Sequence, residues 1–411
     1  MADRPHVFRS IPRVFWVLSV TAILIWSLIP GYVVGWDLNV YKAAIVSLRN
    51  GHDPYADAMA IQRVFHAQLI AEHKTLGPGV APPFSYVYSP ITLPLLRWLG
   101  HIPFGVSALF YWLLYVWSVA AAVWVGWWAV EEREHPVFAL LAPVAVFFPG
   151  LLQQDVFFSG NVAYVLYGCV LVAALAGWRR GSWKWFYVAT LIASCFKAPL
   201  LSLLAIPVLS ARKQWVPASV TATLGVLLFA IQPRLWPELF RHYLEAVELQ
   251  FSFNRDFSSS PAGLLANALY NVAPYTITSA VFYLLYASVV FCILLYFRGK
   301  FLAGCFSLQQ WVPLMMIGVI LLNPRIMEYD VAPITLMMAL VLWRFFARMW
   351  PLKRTIAAMA IVFAIINIAA QSYGPPSWRI TEGFVLPGLF AIGSWTLLAQ
   401  VRNAKPAMVA R

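Results

Sequence analysis

A carboxylate directly after the first apolar segment is the first group in this chain that could do chemistry. Asp37 stands in Gly35-Trp36-Asp37-Leu38, and Tyr41 follows about one helical turn later. At a membrane surface such a carboxylate could act as a general base. Asp is also a favoured helix N-cap, and a helix is predicted from residue 38 onward. A capping role is therefore an open alternative, and it can coexist with a catalytic one.

Lys197 is the second candidate, because it is an isolated cation within a long apolar segment, just before Ala198-Pro199. A charge at the bilayer centre costs about 2.5–3.5 kcal/mol on insertion scales, so its presence needs a reason. We interpret Lys197 as an ammonium group that contacts an anion such as a phosphate. The alternative is a side chain that snorkels to the interface, which its central position makes harder.

Residues 323–330, Asn-Pro-Arg-Ile-Met-Glu-Tyr-Asp, interrupt two apolar segments. Arg325 carries a planar, permanently charged group that suits phosphate. The alternative is a solvated turn in which Arg325 pairs with Glu328 or Asp330. A further polar group comprises residues 153–155 (Gln-Gln-Asp) and Gly160-Asn161. It could line a cavity, although a polar loop with Asn161 as a helix cap is favoured.

The composition shows what kind of elements must position these residues. Of the 411 residues, 62% are hydrophobic and 11% are charged, whereas soluble domains carry about 25% charged residues. This excludes an ordinary soluble enzyme, a disordered protein and a secreted disulfide scaffold. The net charge of +13 falls mostly in short tracts between apolar segments, as the positive-inside rule requires. We therefore expect no nucleic-acid partner, and we expect the four cysteines to be buried hydrophobes.

The pattern predicts an all-α polytopic membrane protein, with residues 1–411 forming one integral-membrane domain of about 11–12 crossings. The first span is predicted at 14–34, with a cytoplasmic N-terminus. External loops are predicted at 35–85, with amphipathic helices at 38–50 and 56–74, and at 233–262, with one near 235–250. One of the short segments 86–100 and 136–152 is expected to be re-entrant or interfacial. Segment 185–211 is either a broken hairpin with Lys197 near its outer tip or a single span.

In this topology all four polar groups face the external side. A carboxylate, a lysine and an arginine around one outer cavity suit chemistry on a lipid-borne phosphate. The sequence contains no Walker-type loop, dinucleotide fingerprint or Gly-x-Ser-x-Gly elbow, so nucleotide use has no support. A lipid-linked donor would explain chemistry outside the membrane without nucleotides.

The chain resembles the polyprenyl-phosphate-mannose-dependent glycosyltransferases of family 87, which are bacterial members of the GT-C superfamily. The resemblance covers most of the chain, and the order of short motifs carries it. These are Asp37 with Tyr41, Gly51-His52-Asp53-Pro54-Tyr55, Tyr88-Ser89-Pro90, Gly160-Asn161, Lys197-Ala198-Pro199, and Pro324-Arg325 with Tyr329-Asp330.

The resemblance implies a GT-C-type helical bundle in which Asp37 is the catalytic carboxylate and Tyr41, Lys197 and Arg325 face the donor phosphate or the sugars. The rest of the expected substrate site comprises Tyr88, Asn161, Glu328, Tyr329 and Asp330. Many relatives carry a His near the last three, which this chain lacks. The family is described as metal-independent, and we expect no metal and no cofactor, although Asp37 with Asp155 could recruit a cation.

The implied activity is inverting transfer of a hexose, mannose by family default, on the external face of a bacterial inner membrane. The expected partners are a polyprenyl-phosphate-sugar donor, a glycolipid or glycan acceptor, and membrane lipids. The alternative is a multi-pass transporter or flippase of a lipid-linked or small anionic substrate. Transporters tend to show repeated halves, and no such repeat is visible in the sequence.

Overall fold

A computed structural model describes residues 35–71, 85–152, 156–252, 257–270, 274–372 and 375–409. Throughout these residues the regular structure is helical and contains no strand. Seven of the helices are long and apolar enough to cross a membrane, and three further apolar helices are shorter. The predicted all-α polytopic class is confirmed. The expectation that the four cysteines are buried is wrong, because Cys169 and Cys292 are exposed and Cys195 and Cys305 are half-buried. Side chains on a spanning helix can face lipid as well as the protein interior. The predicted first span at 14–34 and the residues 153–155 lie outside the described part of the chain.

The α-helices of the described residues are numbered in chain order. The first seven are α1 (Trp36–Arg49), α2 (Pro54–Ala71), α3 (Thr92–Leu96), α4 (Phe104–Ala129), α5 (His135–Phe147), α6 (Val156–Ser159) and α7 (Val162–Arg180). The next six are α8 (Lys184–Phe196), α9 (Ala205–Ser210), α10 (Trp215–Ala230), α11 (Gln232–Leu235), α12 (Pro237–Ser252) and α13 (Pro261–Leu269). The last six are α14 (Tyr275–Leu302), α15 (Leu308–Leu321), α16 (Glu328–Val331), α17 (Thr335–Met349), α18 (Leu352–Gln371) and α19 (Pro375–Val409).

The centre of the bundle is the segment that begins with α16 and continues through α17. In the apolar stretch of this segment 83% of the residues are buried, whereas the buried share is only 17% in the apolar stretches of α14 and α18. Helix α15 packs beside it, and its residues Trp311 to Leu321 are all buried. Lipid-facing helices can leave apolar side chains exposed because the surrounding solvent is itself apolar. The residues that follow α15 and begin α16, at 323–330, are therefore held by the most enclosed part of the protein.

The segment predicted at 86–100 does not form a spanning helix. It contains α3 and a 3-10 helix, Arg97–His101, which together are about 17 Å long, against about 30 Å for a hydrocarbon core. Lys42 and Arg49 of α1 donate hydrogen bonds to the carbonyls of Ile102 (2.6 Å) and Gly100 (3.3 Å). This segment is therefore too short to cross the membrane, and it packs against α1.

The stretch that contains Lys197 is a broken hairpin rather than a single span. Helix α8 ends at Phe196, Lys197 is extended, and a 3-10 helix, Ala198–Leu204, leads into α9. The start of α8 and the end of α9 lie close together, because both contact Trp178 at the end of α7. Trp178 packs against Trp183 before α8 and donates a hydrogen bond to Ser210 at the end of α9 (3.1 Å). Lys197 therefore lies at the opposite tip.

The basic flanks gather at the end of the bundle opposite this tip. Arg298 donates to the carbonyls of Val208 (2.7 Å) and Ala211 (3.3 Å), which end α9. Arg344 forms a two-bond ion pair with Glu134, at 2.9 and 2.7 Å. The bundle consequently has a basic end and an end that carries the hairpin tip, as the positive-inside pattern would require.

Candidate functional site

Asp37 lies in the first turn of α1, where the helix dipole favours a negative charge. The N-cap is Gly35, so Asp37 is not the capping residue that one interpretation of the sequence proposed. Its carboxylate accepts a hydrogen bond from the Asn161 side-chain amide at 2.9 Å. The carboxylate is therefore oriented by a residue 124 positions away.

Asn161 has both of the roles considered from the sequence, because it caps a helix and lines a cavity. Its oxygen accepts from the backbone N–H of Ala163 at 2.8 Å and so caps α7. Its amide nitrogen donates to Asp37 and also to the Tyr88 hydroxyl at 3.0 Å. Capping fixes the rotamer of Asn161, and the fixed rotamer then directs the amide donor at the carboxylate.

Two glycines allow the approach of α1 to α7. Gly35 and Gly160 both have positive φ, +90° and +70°, a region that disfavours other residues. A Cβ on Gly160 would lie 2.7 Å from the Gly35 Cα, which is too close for any real contact. Glycine at 160 is thus required for the contact between Asp37 and Asn161.

Tyr41 and Tyr88 form a hydrogen-bonded pair next to Asp37 and Asn161. The Tyr41 hydroxyl donates to the Tyr88 hydroxyl at 2.7 Å and accepts from the Val162 N–H at 3.3 Å. Burial, with a smaller contribution from the Asp37 charge, raises the pKa of both phenols well above their usual range. Both therefore remain neutral. Tyr88 accepts a hydrogen bond from the Asn161 amide, and Tyr41 holds Tyr88 in place.

Lys197 has a partner that local sequence cannot show. At the hairpin tip its ammonium forms an ion pair with Asp330, which is fully buried in α16. It also lies over the ring of Tyr329, with 4.5 Å from Nζ to the ring centroid. The same Asp330 oxygen accepts the Met327 N–H at 2.9 Å. The ammonium is therefore held in place and largely neutralised before any ligand arrives.

The backbone of the loop that carries Arg325 is hydrogen-bonded to Ser259 and Ser260. The Ser259 N–H donates to the Ile326 carbonyl at 2.9 Å, and the Ser260 hydroxyl donates to the Pro324 carbonyl at 2.8 Å. The Arg325 guanidinium lies over the ring of Phe251 in α12, 5.6 Å from its centroid. These contacts hold the guanidinium in a defined place at the end of the bundle.

These residues surround one cavity of about 600 Å³ at the hairpin-tip end. Seven of the residues singled out in the sequence line it, namely Asp37, Tyr88, Asn161, Lys197, Arg325, Glu328 and Tyr329. Tyr41 and Asp330 are not among the lining residues and contact them from behind. The polar groups that we selected one by one are thus neighbours in space.

The cavity has further walls that the sequence analysis missed. Helix α12 contributes Tyr243, Gln250 and Phe251, and α19 contributes Trp378 and Arg379. The Arg379 guanidinium stacks on Trp378, with 5.0 Å to the ring centroid. The Trp-Arg pair at the start of a span was a signal that could have identified this second guanidinium.

A second cavity, of about 460 Å³, adjoins the first and is mainly apolar. Ala198 and Pro199 line both of them. The other walls come from the 3-10 helix, α9, α10 and α14, with Trp215, Tyr283 and Phe291 among them. The Tyr283 hydroxyl donates to the Leu322 carbonyl at 2.7 Å, which satisfies one of its few polar groups. This apolar groove therefore begins beside Lys197 and extends between α9, α10 and α14.

Within the described residues no group of three or more His, Cys, Asp or Glu side chains could hold a metal ion. Asp155, which we considered with Asp37 as a cation ligand, lies outside these residues.

Comparison with known proteins finds no relative of this chain. No protein-family model, curated protein or solved structure matches the chain.

Proposed function

We propose that this protein is a membrane glycosyltransferase. It would move a hexose from a polyprenyl-phosphate-sugar donor to a lipid-linked or glycan acceptor, with inversion at the anomeric carbon. The observation that carries the proposal is the meeting of the Asp37 carboxylate with the cations Lys197, Arg325 and Arg379 around one cavity. A group-transfer reaction needs a base for the acceptor and positive charge for the leaving group.

Asp37 is the proposed general base. It takes the proton of an acceptor hydroxyl while that oxygen bonds to the anomeric carbon of the donor sugar. The bond from that carbon to the phosphate oxygen breaks at the same time, and polyprenyl phosphate leaves with the electron pair. Asn161 holds the carboxylate at 2.9 Å, which limits its rotation so that it faces the hydroxyl. General-base assistance contributes typically about 10²- to 10⁴-fold.

The leaving phosphate needs positive charge and several hydrogen-bond donors. Lys197 is paired with buried Asp330, so its net attraction for a phosphate is reduced, although its N–H groups can still donate. Arg325 and Arg379 lie against the aromatic rings of Phe251 and Trp378 and carry planar forks that suit phosphate oxygens. Because of this fork geometry we assign charge stabilisation mainly to these two arginines and a positioning contact to Lys197.

The apolar groove supports a lipid-linked donor over a water-soluble one. It shares Ala198 and Pro199 with the polar cavity, so a phosphate held near Lys197 would have an apolar channel beside it. An isoprenoid chain gains about 0.8 kcal/mol for each buried CH₂. The polyprenyl chain would occupy the groove while the sugar projects toward Asp37. Mannose is the sugar that the family resemblance suggests.

The proposal is tested with purified protein, radiolabelled polyprenyl-phosphate-mannose and a panel of glycolipid acceptors. Label should move to an acceptor, and the new linkage should have the anomeric configuration opposite to that of the donor. A transporter or flippase would instead move the intact donor across a liposome membrane without forming a new glycoside. Absence of transfer to every acceptor, together with movement of the intact donor, would overturn the proposal in favour of that alternative.

A further inference from the structure

A third cavity, of about 560 Å³, lies outside the candidate functional site. It is formed by the C-terminal end of α1, the segment that contains α3, and the junction of α11 with α12. Its walls are Ile45, Leu48, Arg49, Pro90, Leu93, Pro94, Arg97, His101, Trp236 and Leu239. Arg49 follows Asp37 by 12 residues in one helix, so the two are about 18 Å apart along its axis.

The ionisable groups of this pocket are all basic. Arg49, Arg97 and His101 line it and are exposed, and its described lining residues include no Asp or Glu. Arg49 is fixed at the rim by its 3.3 Å hydrogen bond to the Gly100 carbonyl. Two guanidinium groups and an imidazole around one opening favour an anion with several oxygen acceptors, such as a phosphate.

The remaining walls are apolar, and the same segment exposes apolar side chains beside the pocket. Leu48, Pro94, Trp236 and Leu239 form these walls. Leu95 and Trp98 flank Arg97 and are 46% and 44% exposed. Tryptophan beside basic residues is typical of the membrane–water interface. The ligand that fits is therefore an amphiphile with an anionic head and apolar chains, rather than a free anion.

We propose that this basic pocket binds the phosphate group of an anionic membrane phospholipid, in the leaflet at the hairpin-tip end of the bundle. The head group contacts Arg49, Arg97 and His101, and the acyl chains lie along Leu48, Trp98 and Trp236. Occupation of the pocket would fix the C-terminal end of α1 against the segment that contains α3. The proposal does not depend on the transferase activity.

The test is lipid retention by the detergent-purified full-length protein in native mass spectrometry. The probes are dioleoyl-phosphatidylglycerol and dioleoyl-phosphatidylcholine. Arg97→Gln should retain phosphatidylglycerol about ten-fold more weakly than the unchanged protein, since one charge-assisted bond is worth about that factor. Retention of phosphatidylcholine should not differ. The matched control is Arg241→Gln on exposed α12, where Arg241 pairs with Glu238 at 2.7 Å and does not line the pocket.

The double variant Arg49→Ala/Arg97→Ala should lose the selective retention entirely. Equal retention of phosphatidylglycerol by Arg97→Gln, the double variant and Arg241→Gln would overturn the proposal. Displacement of the lipid by inorganic phosphate alone would identify a free-anion site and would also overturn it. Thermal unfolding of each variant without added lipid checks that it is folded. If the double variant does not fold, Arg97→Gln still tests the proposal, because it leaves the Arg49 contact with Gly100 in place.

Discussion

At the scale of single residues, the most informative contact is the ion pair between Lys197 and Asp330. From sequence, an isolated lysine in an apolar segment suggested an anionic ligand. The structure supplies a protein carboxylate instead, 133 residues away in sequence and fully buried. Two buried charges that neutralise each other are costly to desolvate, and removal of either one destabilises the fold because the other stays buried without a partner.

Removal of one partner should therefore destabilise the protein more than removal of both. Lys197→Met should lower the free energy of unfolding by about 3–5 kcal/mol, because it leaves the Asp330 carboxylate without a cation. The double variant Lys197→Met/Asp330→Leu should recover part of this loss. Recovery is incomplete because the Met327 N–H loses its acceptor. Thermal or denaturant unfolding in detergent measures both, and Lys184→Met, at an exposed position, is the control.

The same double variant separates the structural role of Lys197 from ligand binding. If the ammonium also contacts the donor phosphate, the stabilised double variant should still bind polyprenyl phosphate more weakly than the unchanged protein. Unchanged affinity would limit Lys197 to holding α8 against α16. A double variant no more stable than Lys197→Met would contradict the ion-pair account itself.

At the scale of elements, the candidate site depends on how closely α1 approaches α7. Two glycines of positive φ meet there, and the hydrogen bonds of Asn161 and Tyr41 cross the same junction. The Asp37 carboxylate thus belongs to one helix and its orienting amide to another. Any change that separates these two helix ends should disconnect Asp37 from Asn161 while leaving the rest of the bundle in place.

Gly160→Ala should produce this separation. Its Cβ would lie 2.7 Å from the Gly35 Cα and 3.0 Å from the Leu38 Cβ, so α1 must move away from α7. We expect at least a ten-fold loss of transfer, because misplaced catalytic groups lose much of their effect. Gly304→Ala is the matched control, since Gly304 has φ +78° with nothing within 4 Å of an added Cβ. Equal activity of the two variants would contradict the account of this junction.

Sequence reasoning at this scale succeeded where a single physical rule decided the outcome. The cost of charge in lipid identified Asp37, Lys197 and Arg325, and all three line one cavity. Short apolar length predicted that one of the segments 86–100 and 136–152 would not cross, and the structure divides 86–100 into two short helices.

What the sequence could not supply were pairings across long separations. The partner of Lys197, the serines under the Arg325 loop and the Arg379 wall all come from elements that meet only after folding. Ser258 to Ser260 look like an ordinary polar loop in sequence. Their role follows from burial between the loop at 323–327 and the start of α13.

At the scale of the whole molecule, the net charge of +13 has a spatial meaning. Arg298 and Arg344 bind backbone carbonyls at the end of the bundle opposite Lys197, and Arg179 and Arg180 end α7 there. At the other end, Lys197, Arg325 and Arg379 line the cavity that Asp37 also lines. If the basic end is cytoplasmic, as the positive-inside rule implies, the candidate site faces outward.

Cysteine labelling tests this orientation. In a cysteine-free background, Asn50→Cys and Arg180→Cys place single thiols at exposed positions at the two opposite ends. A membrane-impermeant maleimide added to intact cells should label the cysteine at 50 and not the one at 180. Both should react after the membrane is permeabilised. The reverse pattern in intact cells would place the cavity in the cytoplasm and contradict an external reaction.

The central claim is that Asp37 is the base of a sugar transfer. The most direct measurement is single-turnover transfer from polyprenyl-phosphate-mannose by Asp37→Asn, with donor affinity measured in the same preparation. Asp57→Asn is the control, because that carboxylate is exposed in the first turn of α2. The account predicts a loss of about 10²-fold or more for Asp37→Asn, with donor affinity unchanged and Asp57→Asn fully active. Near-normal transfer by Asp37→Asn would contradict it.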